Sequence, residues 1–482
     1  MSAPLSLRCL LRPSAPVPRS ITAAASTPSP WTATFSTTAS AQKDGQKMGT
    51  PKKMSAKTKG SVSTHMNPTG KKQTMAKFKK NKGAKTGKPP LPGERKALRK
   101  RIQLSNNNAL PVAGLVELEP KDLLDPTKVG TMVALPGEMQ DSLRTLEAFK
   151  PTQFWPMFRQ PATLIRSETV DLIAQMQEAA SKKQMLRAVI TGERITGKSL
   201  LLLQSMAYGL SKEWIVINIP EAQELTTACT EYAPVPDTEP VQYMQNNYCL
   251  KMIQAIKKAN SSVLAKQATV YSHPELPQNI PINSSLLALL NAAKEPESAW
   301  VVFQAFWKEL MHKDATRPPI LFTLDGLQHI MKISDYRSPA FELIHSQDLA
   351  LVRLFCDTLS GASPLPNGGA ILAATTRGNA PRSPSMELAL AQREAEQAGT
   401  EPPAHEPYFK GYDTRSEATL KSVKVMKVKG MSKLEARGLM EYWASSGILR
   451  ATVDEKAVAA KWALSAGVVG EMERASLLTM RP

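Results

Sequence analysis

Short apolar runs, each closed by turn-forming or polar positions, recur through the middle of this chain. Leu186-Arg187-Ala188-Val189-Ile190-Thr191 is apolar and partly β-branched, and Trp214-Ile215-Val216-Ile217-Asn218-Ile219 repeats the pattern. Pro319-Ile320-Leu321-Phe322-Thr323-Leu324-Asp325 follows a proline pair and ends in one acid. Ala370-Ile371-Leu372-Ala373-Ala374-Thr375-Thr376 is launched from Gly368-Gly369. Runs of this length predict buried strands. Leu200 to Tyr208 is rich in helix formers and free of proline, so a helix is expected between the first two runs. A second helix is expected from His345 to Ser360, stopped by Gly361. The order β-α-β, long insertion, β-α-β implies a parallel sheet with both faces covered.

The pattern changes towards the C-terminus. Arg377 to Pro407 is polar and rich in Ala, Glu and Pro, and reads as a flexible connection holding one helix. Beyond it the chain reads as helical. Ser432-Lys433-Leu434-Glu435 has the form of a capping box, and Gly447 can end the helix it starts. Leu434, Leu439, Met440 and Trp443 lie near helical spacing and form a candidate apolar stripe.

Charge separates the first hundred residues from the rest. The 482-residue chain carries a net +19. Residues 51–101 hold seventeen basic residues against one acid, Glu94. Residues 1–50 hold five basic residues and one acid, which leaves the remainder close to neutral. The 51–101 tract has few aliphatic residues and cannot bury enough apolar surface to fold alone. Such a tract binds polyanions by releasing their counterions, and folded RNA is the favoured partner. The first forty residues contain Arg8, Arg12 and Arg19, abundant Ser, Thr and Ala, and no acid, the composition of a mitochondrial transit peptide. No run approaches the ~18 apolar residues of a membrane span. Cys9, Cys229, Cys249 and Cys356 have neither metal-ligand spacing nor the density of a disulfide framework.

The candidate chemistry lies between the first strand and its helix. Gly192-Glu193-Arg194-Ile195-Thr196-Gly197-Lys198-Ser199 has the spacing of a phosphate-binding loop. Its glycines allow backbone N–H groups to converge on phosphate oxygens. Lys198 would reach the terminal phosphates, and Ser199 would place its hydroxyl on Mg²⁺. The following helix would aim its positive end at the anion. Asp325 is the candidate second Mg²⁺ ligand, acting commonly through water. Thr375 and Thr376 resemble the polar sensor position of AAA-type ATPases. Gly326 follows Asp325 where hydrolytic sites of that type carry a second acid. Gln328 or His329 could substitute, but a turn or helix start explains them better. No Asn-Lys-x-Asp guanine-reading motif occurs. The residues therefore predict nucleotide binding without efficient turnover, and leave the base open.

Several stretches together resemble the death-associated protein 3 family of the mitochondrial small ribosomal subunit. They are LRTLEAFKPTQFWPMFRQPATLIR (Leu143–Arg166), GERITGKSLLLL, ILFTLDGLQHI (Ile320–Ile330), SDYRSPAFELIHSQDLALVRLF (Ser334–Phe355) and LPNGGAILAATT (Leu365–Thr376). The resemblance spans roughly residues 130–450. It implies an α/β, AAA-like P-loop NTPase domain with bound GTP (or ATP) and Mg²⁺. It also implies small-subunit rRNA and neighbouring ribosomal proteins as partners, in the mitochondrial matrix. Gly192, Gly197, Lys198 and Ser199 match the family's phosphate loop, and Asp325 its LDG acid. The expected organisation is a transit peptide over 1–40, a basic RNA-binding extension over 41–102 and the P-loop domain over 103–376. A linker over 377–407 and a helical domain over 408–482 follow. The alternative reading is a freestanding mitochondrial AAA-type ATPase.

Overall fold

A computed structural model describes residues 102–314, 316–378, 380–405 and 411–478. The expected import peptide and, apart from Ile102, the basic extension lie outside the described residues.

The four apolar runs form parallel strands. They are β1 (Met185–Gly192), β2 (Ile215–Ile219), β3 (Ile320–Asp325) and β4 (Gly369–Ala374). A fifth, β5 (Lys424–Val428), completes a sheet of order β5-β1-β4-β3-β2. Every pairing in this sheet is parallel. β2 and β4 are buried along their whole length, as expected of strands covered on both faces.

Alternate residues divide the core. Val189, Ile217, Phe322 and Ile371 face one layer, built largely from α3 (Asn246–Ala259), α4 (Pro296–Leu310) and α5 (Ala350–Ser360). Ala188, Ile190, Val216, Leu321 and Leu372 face the other. That layer contains α1 (Ser167–Ser181), α2 (Lys198–Ser211) and the entry segment around Leu143–Trp155. Burial on this scale, at roughly 25 cal/mol per Å² of apolar surface, holds the strand ends in register.

Three elements differ from the sequence reading. The helix expected from His345 begins at Ala350. Ser346–Asp348 is instead a single 3₁₀ turn, and Leu343–His345 pairs antiparallel with Ile333–Arg337. The C-terminal region, read as helical, supplies β5 to the main sheet. Val425 and Val428 point to opposite faces of this edge strand and join different core layers, while Lys424 and Lys427 stay exposed, so it presents no apolar run. Leu434 is 63% exposed and is not part of the stripe on α7 (Lys433–Ser445). The buried stripe is Ala436, Leu439, Met440 and Trp443, which keeps the i, i+3, i+4, i+7 spacing that Leu434 breaks.

The connection after Thr376 does hold one helix, α6 (Pro384–Ala398), with Met386, Ala389 and Leu390 buried. The capping box forms as the sequence predicts. Ser432 Oγ accepts from Glu435 N at 3.3 Å, and Ser432 N donates to Glu435 Oε2 at 2.8 Å. Gly447, with φ +76°, follows the end of α7. Two further helices, α8 (Glu455–Ser465) and α9 (Val469–Glu473), pack with α7 around Trp443 and Met472. Among the described residues no helix is long and apolar enough to cross a membrane. Cys229, Cys249 and Cys356 are free thiols.

Candidate functional site

Parallel strands bring their C-terminal ends to one edge, where ligand sites of open α/β sheets form. Here that edge gathers Gly192 from β1, Pro220 after β2, Asp325 from β3 and Thr375-Thr376 after β4. The loop from Gly192 to Gly197 leads directly into α2, whose first residue is Lys198.

Gly192 has φ +147°, and a Cβ there would lie 2.7 Å from Val428 O and 3.2 Å from Thr196 Oγ1. Only glycine allows β5 and the loop to approach this closely. Thr196 is buried, and its hydroxyl donates to Glu193 O at 3.1 Å. Glu193 and Arg194 are exposed on the outer turn. The Lys198 ammonium folds back over the loop and donates to Gly192 O at 3.1 Å and to Glu193 O. Burial, together with the nearby Arg377 charge, pushes Lys198 down to about 8, against the pull of Asp325 and Glu193. Ser199 Oγ donates to Asp325 Oδ2 at 2.7 Å. The loop lysine, the hydroxyl and the strand-end acid expected from the sequence are thus brought together.

The positions beside Asp325 are less suited to catalysis. Gly326 has φ +92°, and a Cβ there would meet His329 Cδ2 at 3.2 Å, so an acid at this position would be strained. Gln328 Oε1 accepts from Thr376 N at 2.8 Å, which fixes it on the end of β4. His329 is buried, and burial holds its imidazole below the ordinary value. The two threonines separate. Thr375 Oγ1 donates to Ile190 O at 3.2 Å and is spent on β1, while Thr376 is half-buried beside Gly326.

The sequence profile of the family described as mitochondrial ribosomal death-associated protein 3 matches residues 163–475. The chain belongs to this family. It is 56% identical over 486 positions to the small ribosomal subunit protein mS29 of Neurospora crassa, a likeness covering the whole of both chains. It is 25% identical over 347 positions to the protein of the same name in Schizosaccharomyces pombe, across 70% of this chain and 69% of that one.

The matched span encloses the loop, Asp325 and Thr376, and further residues that only the fold connects to them. Arg166 is buried, and its guanidinium donates to Thr196 O at 2.9 Å and to Lys429 O at 2.9 Å. It also pairs with Glu168 at 3.1 Å. Gly470 N donates to Ile195 O at 3.1 Å, and Gly470 lies against the Ile195 side chain, so α9 rests directly on the loop. N-terminal to the matched span, Lys150 of the Leu143–Arg166 stretch lies 3.2 Å from Asp325 Oδ2. These partners are far from the loop in sequence, and no local motif marks them.

Proposed function

We propose that this death-associated protein 3 family member is a structural component of the mitochondrial small ribosomal subunit. In this reading it holds a purine nucleotide, GTP favoured, with Mg²⁺ at the strand-end site. The ribosomal part rests on full-length likeness to a protein named as a small-subunit component. The nucleotide part rests on one observation above all: Ser199 Oγ and Asp325 Oδ2 meet at 2.7 Å directly after a phosphate-loop turn.

The residues fit the groups assigned to them. Gly192 lets β5 close against the loop, and the partly desolvated Lys198 ammonium sits over neutral carbonyls where an anion would complete its charge. Ser199 and Asp325 suit Mg²⁺, which keeps several waters and takes its remaining oxygens from substrate phosphates. Bound Mg²⁺ would neutralise phosphate charge. The chain's residues supply orientation: Lys198 for the terminal phosphates, Gly192 to Gly197 for backbone N–H groups, and Thr376 beside them. The P-loop NTPase-like architecture belongs to this reading, with its boundaries at 103–376, a linker over 377–407 and a C-terminal region over 408–482.

The nucleotide is held rather than spent. The strained position after Asp325 disfavours an acid there, and Gln328 is committed to Thr376 N. The 51–101 tract would contact small-subunit rRNA through phosphates, and residues 1–40 would direct import.

Nucleotide extraction and multiple-turnover hydrolysis on the same full-length sample test this reading. Stoichiometric GTP with negligible turnover is expected. Turnover approaching the ~10 per second typical of enzymes would favour an ATPase instead. Sedimentation of a tagged copy from mitochondrial lysate should follow the small subunit. A slow-sedimenting free protein would overturn the ribosomal assignment.

A further inference from the structure

The nucleotide reading leaves Lys150 without a role, although its position beside Asp325 is specific. Its ammonium lies 3.2 Å from Asp325 Oδ2 and donates to Pro220 O, the carbonyl just beyond β2. The Lys150 and Asp325 side chains are only 16% and 13% exposed. The same Asp325 oxygen accepts from Ser199 Oγ at 2.7 Å, so hydroxyl and ammonium cannot be more than about 6 Å apart. A cation on Ser199 and Asp325, or a phosphate oxygen beside it, would stand within close electrostatic range of Lys150. Lys150 reaches this point from a cleft of about 620 Å³ that also includes Arg144, Glu147, Phe149 and Glu221.

Resting on the nucleotide reading above, we propose that Lys150 is a further nucleotide-site residue, a built-in cation that makes retention of a nucleoside triphosphate less dependent on Mg²⁺. When Mg²⁺ is plentiful, the metal offsets the terminal phosphate charge and Lys150 adds little. When Mg²⁺ is scarce, the ammonium on Asp325 remains within range of those phosphates. The two cations repel, so each weakens the benefit of the other. That mutual effect is a coupling free energy between the metal and one side chain.

A purely structural ion pair would affect folding without selectively changing this metal dependence. The test is a binding cycle on the full-length protein with mant-GTP, in millimolar Mg²⁺ and in EDTA, for wild type, Lys150→Met, Lys150→Gln and Lys150→Arg. In wild type, EDTA should weaken binding modestly. Lys150→Met and Lys150→Gln should raise the ratio of Kd in EDTA to Kd in Mg²⁺ by about tenfold, with a much smaller change in Mg²⁺ alone. Lys150→Arg should retain a near wild-type ratio, because it keeps the charge. An unchanged ratio in folded Lys150→Gln overturns this inference and leaves nucleotide binding intact. Should Met and Gln both fail to fold, wild type decides: loss of mant-GTP binding in EDTA as complete as that of a Mg²⁺-dependent site overturns it. Absence of mant-GTP binding by wild type in Mg²⁺ overturns the nucleotide reading itself, and this inference with it.

Discussion

Two buried charged clusters in this protein differ in a way that separates structure from site. One surrounds Glu309 on α4, whose side chain is fully buried. Its carboxylate accepts from Val270 N at 3.0 Å, Tyr271 N at 2.8 Å and Arg317 Nη2 at 3.0 Å, with His273 Nε2 3.0 Å away. The other surrounds Lys198, whose hydrogen bonds go to the neutral carbonyls Gly192 O and Glu193 O. Glu309 is matched by donors of the right sign. Lys198 is partly desolvated, and Arg377 adds like charge. The first cluster ties a long excursion of the chain to α4. In the proposed reading the second has cationic charge left for a ligand, which is how binding sites differ from structural ion pairs.

The largest expected effect tests the structural cluster. Glu309→Ala removes the acceptor of two backbone N–H groups and strands the buried Arg317. Urea denaturation should show a loss of about 3–5 kcal/mol. Nucleotide affinity of the protein that remains folded should be unchanged. A loss below about 1 kcal/mol would mean the cluster is not the closed unit described here.

Next comes the site. Lys198→Ala removes a cation the fold partly desolvates, so stability without nucleotide should not fall. Nucleotide should then cease to stabilise the variant, whereas wild type gains about 2.7 kcal/mol at a hundredfold excess over Kd. Thermal melts with and without GTP measure both quantities. Equal stabilisation of the variant would remove Lys198 from the site.

A smaller effect concerns Glu473 on α9, close in sequence to the Gly470 contact with the loop. Burial pushes its carboxyl up to about 7, with Arg474 pulling the other way. The folded state therefore holds this proton more tightly than the unfolded chain. Stability contributed by the protonated form is present below about pH 4.5 and is lost as pH rises through about 7. Glu473→Gln should stabilise the protein above about pH 7, on the order of 1–2 kcal/mol, and have little effect below about 4.5. Chemical denaturation across this range would show whether the region resting on the loop carries an uncompensated charge of its own.

What the sequence revealed follows from how local each signal is. β2 and β4 read correctly because strands buried on both faces are continuous apolar runs. The turn from β1 into α2 was legible because its glycines, lysine and serine are contiguous, and the strand-end position of Asp325 because it closes an apolar run. Lys150, Arg166 and Gly470 escaped because their roles depend on chain segments meeting in space. β5 escaped because exposed Lys424 and Lys427 interrupt its buried valines, leaving no continuous apolar run. The helix after His345 was placed too early because a 3₁₀ turn and a short antiparallel pair precede it, and neither has a strong period.

The smallest effect bears on whether the C-terminal helices and the loop from Gly192 to Gly197 behave as one unit. Ser432→Ala removes the acceptor for Glu435 N at the start of α7 and should cost about 1 kcal/mol, the usual value of an N-cap side chain. Glu435 is not only a cap partner. Its Oε1 accepts from Ser167 N at 3.0 Å at the start of α1, next to the Arg166 that donates to Thr196 O. If Glu435 keeps its place through that second bond, mant-GTP affinity should be unchanged while urea unfolding shifts by the cap energy alone. A parallel loss of affinity would instead mean that the cap positions Glu435, Glu435 positions the start of α1, and the loop responds. The contrast between a closed structural cluster and an open site would then have to include α7 on the side of the site.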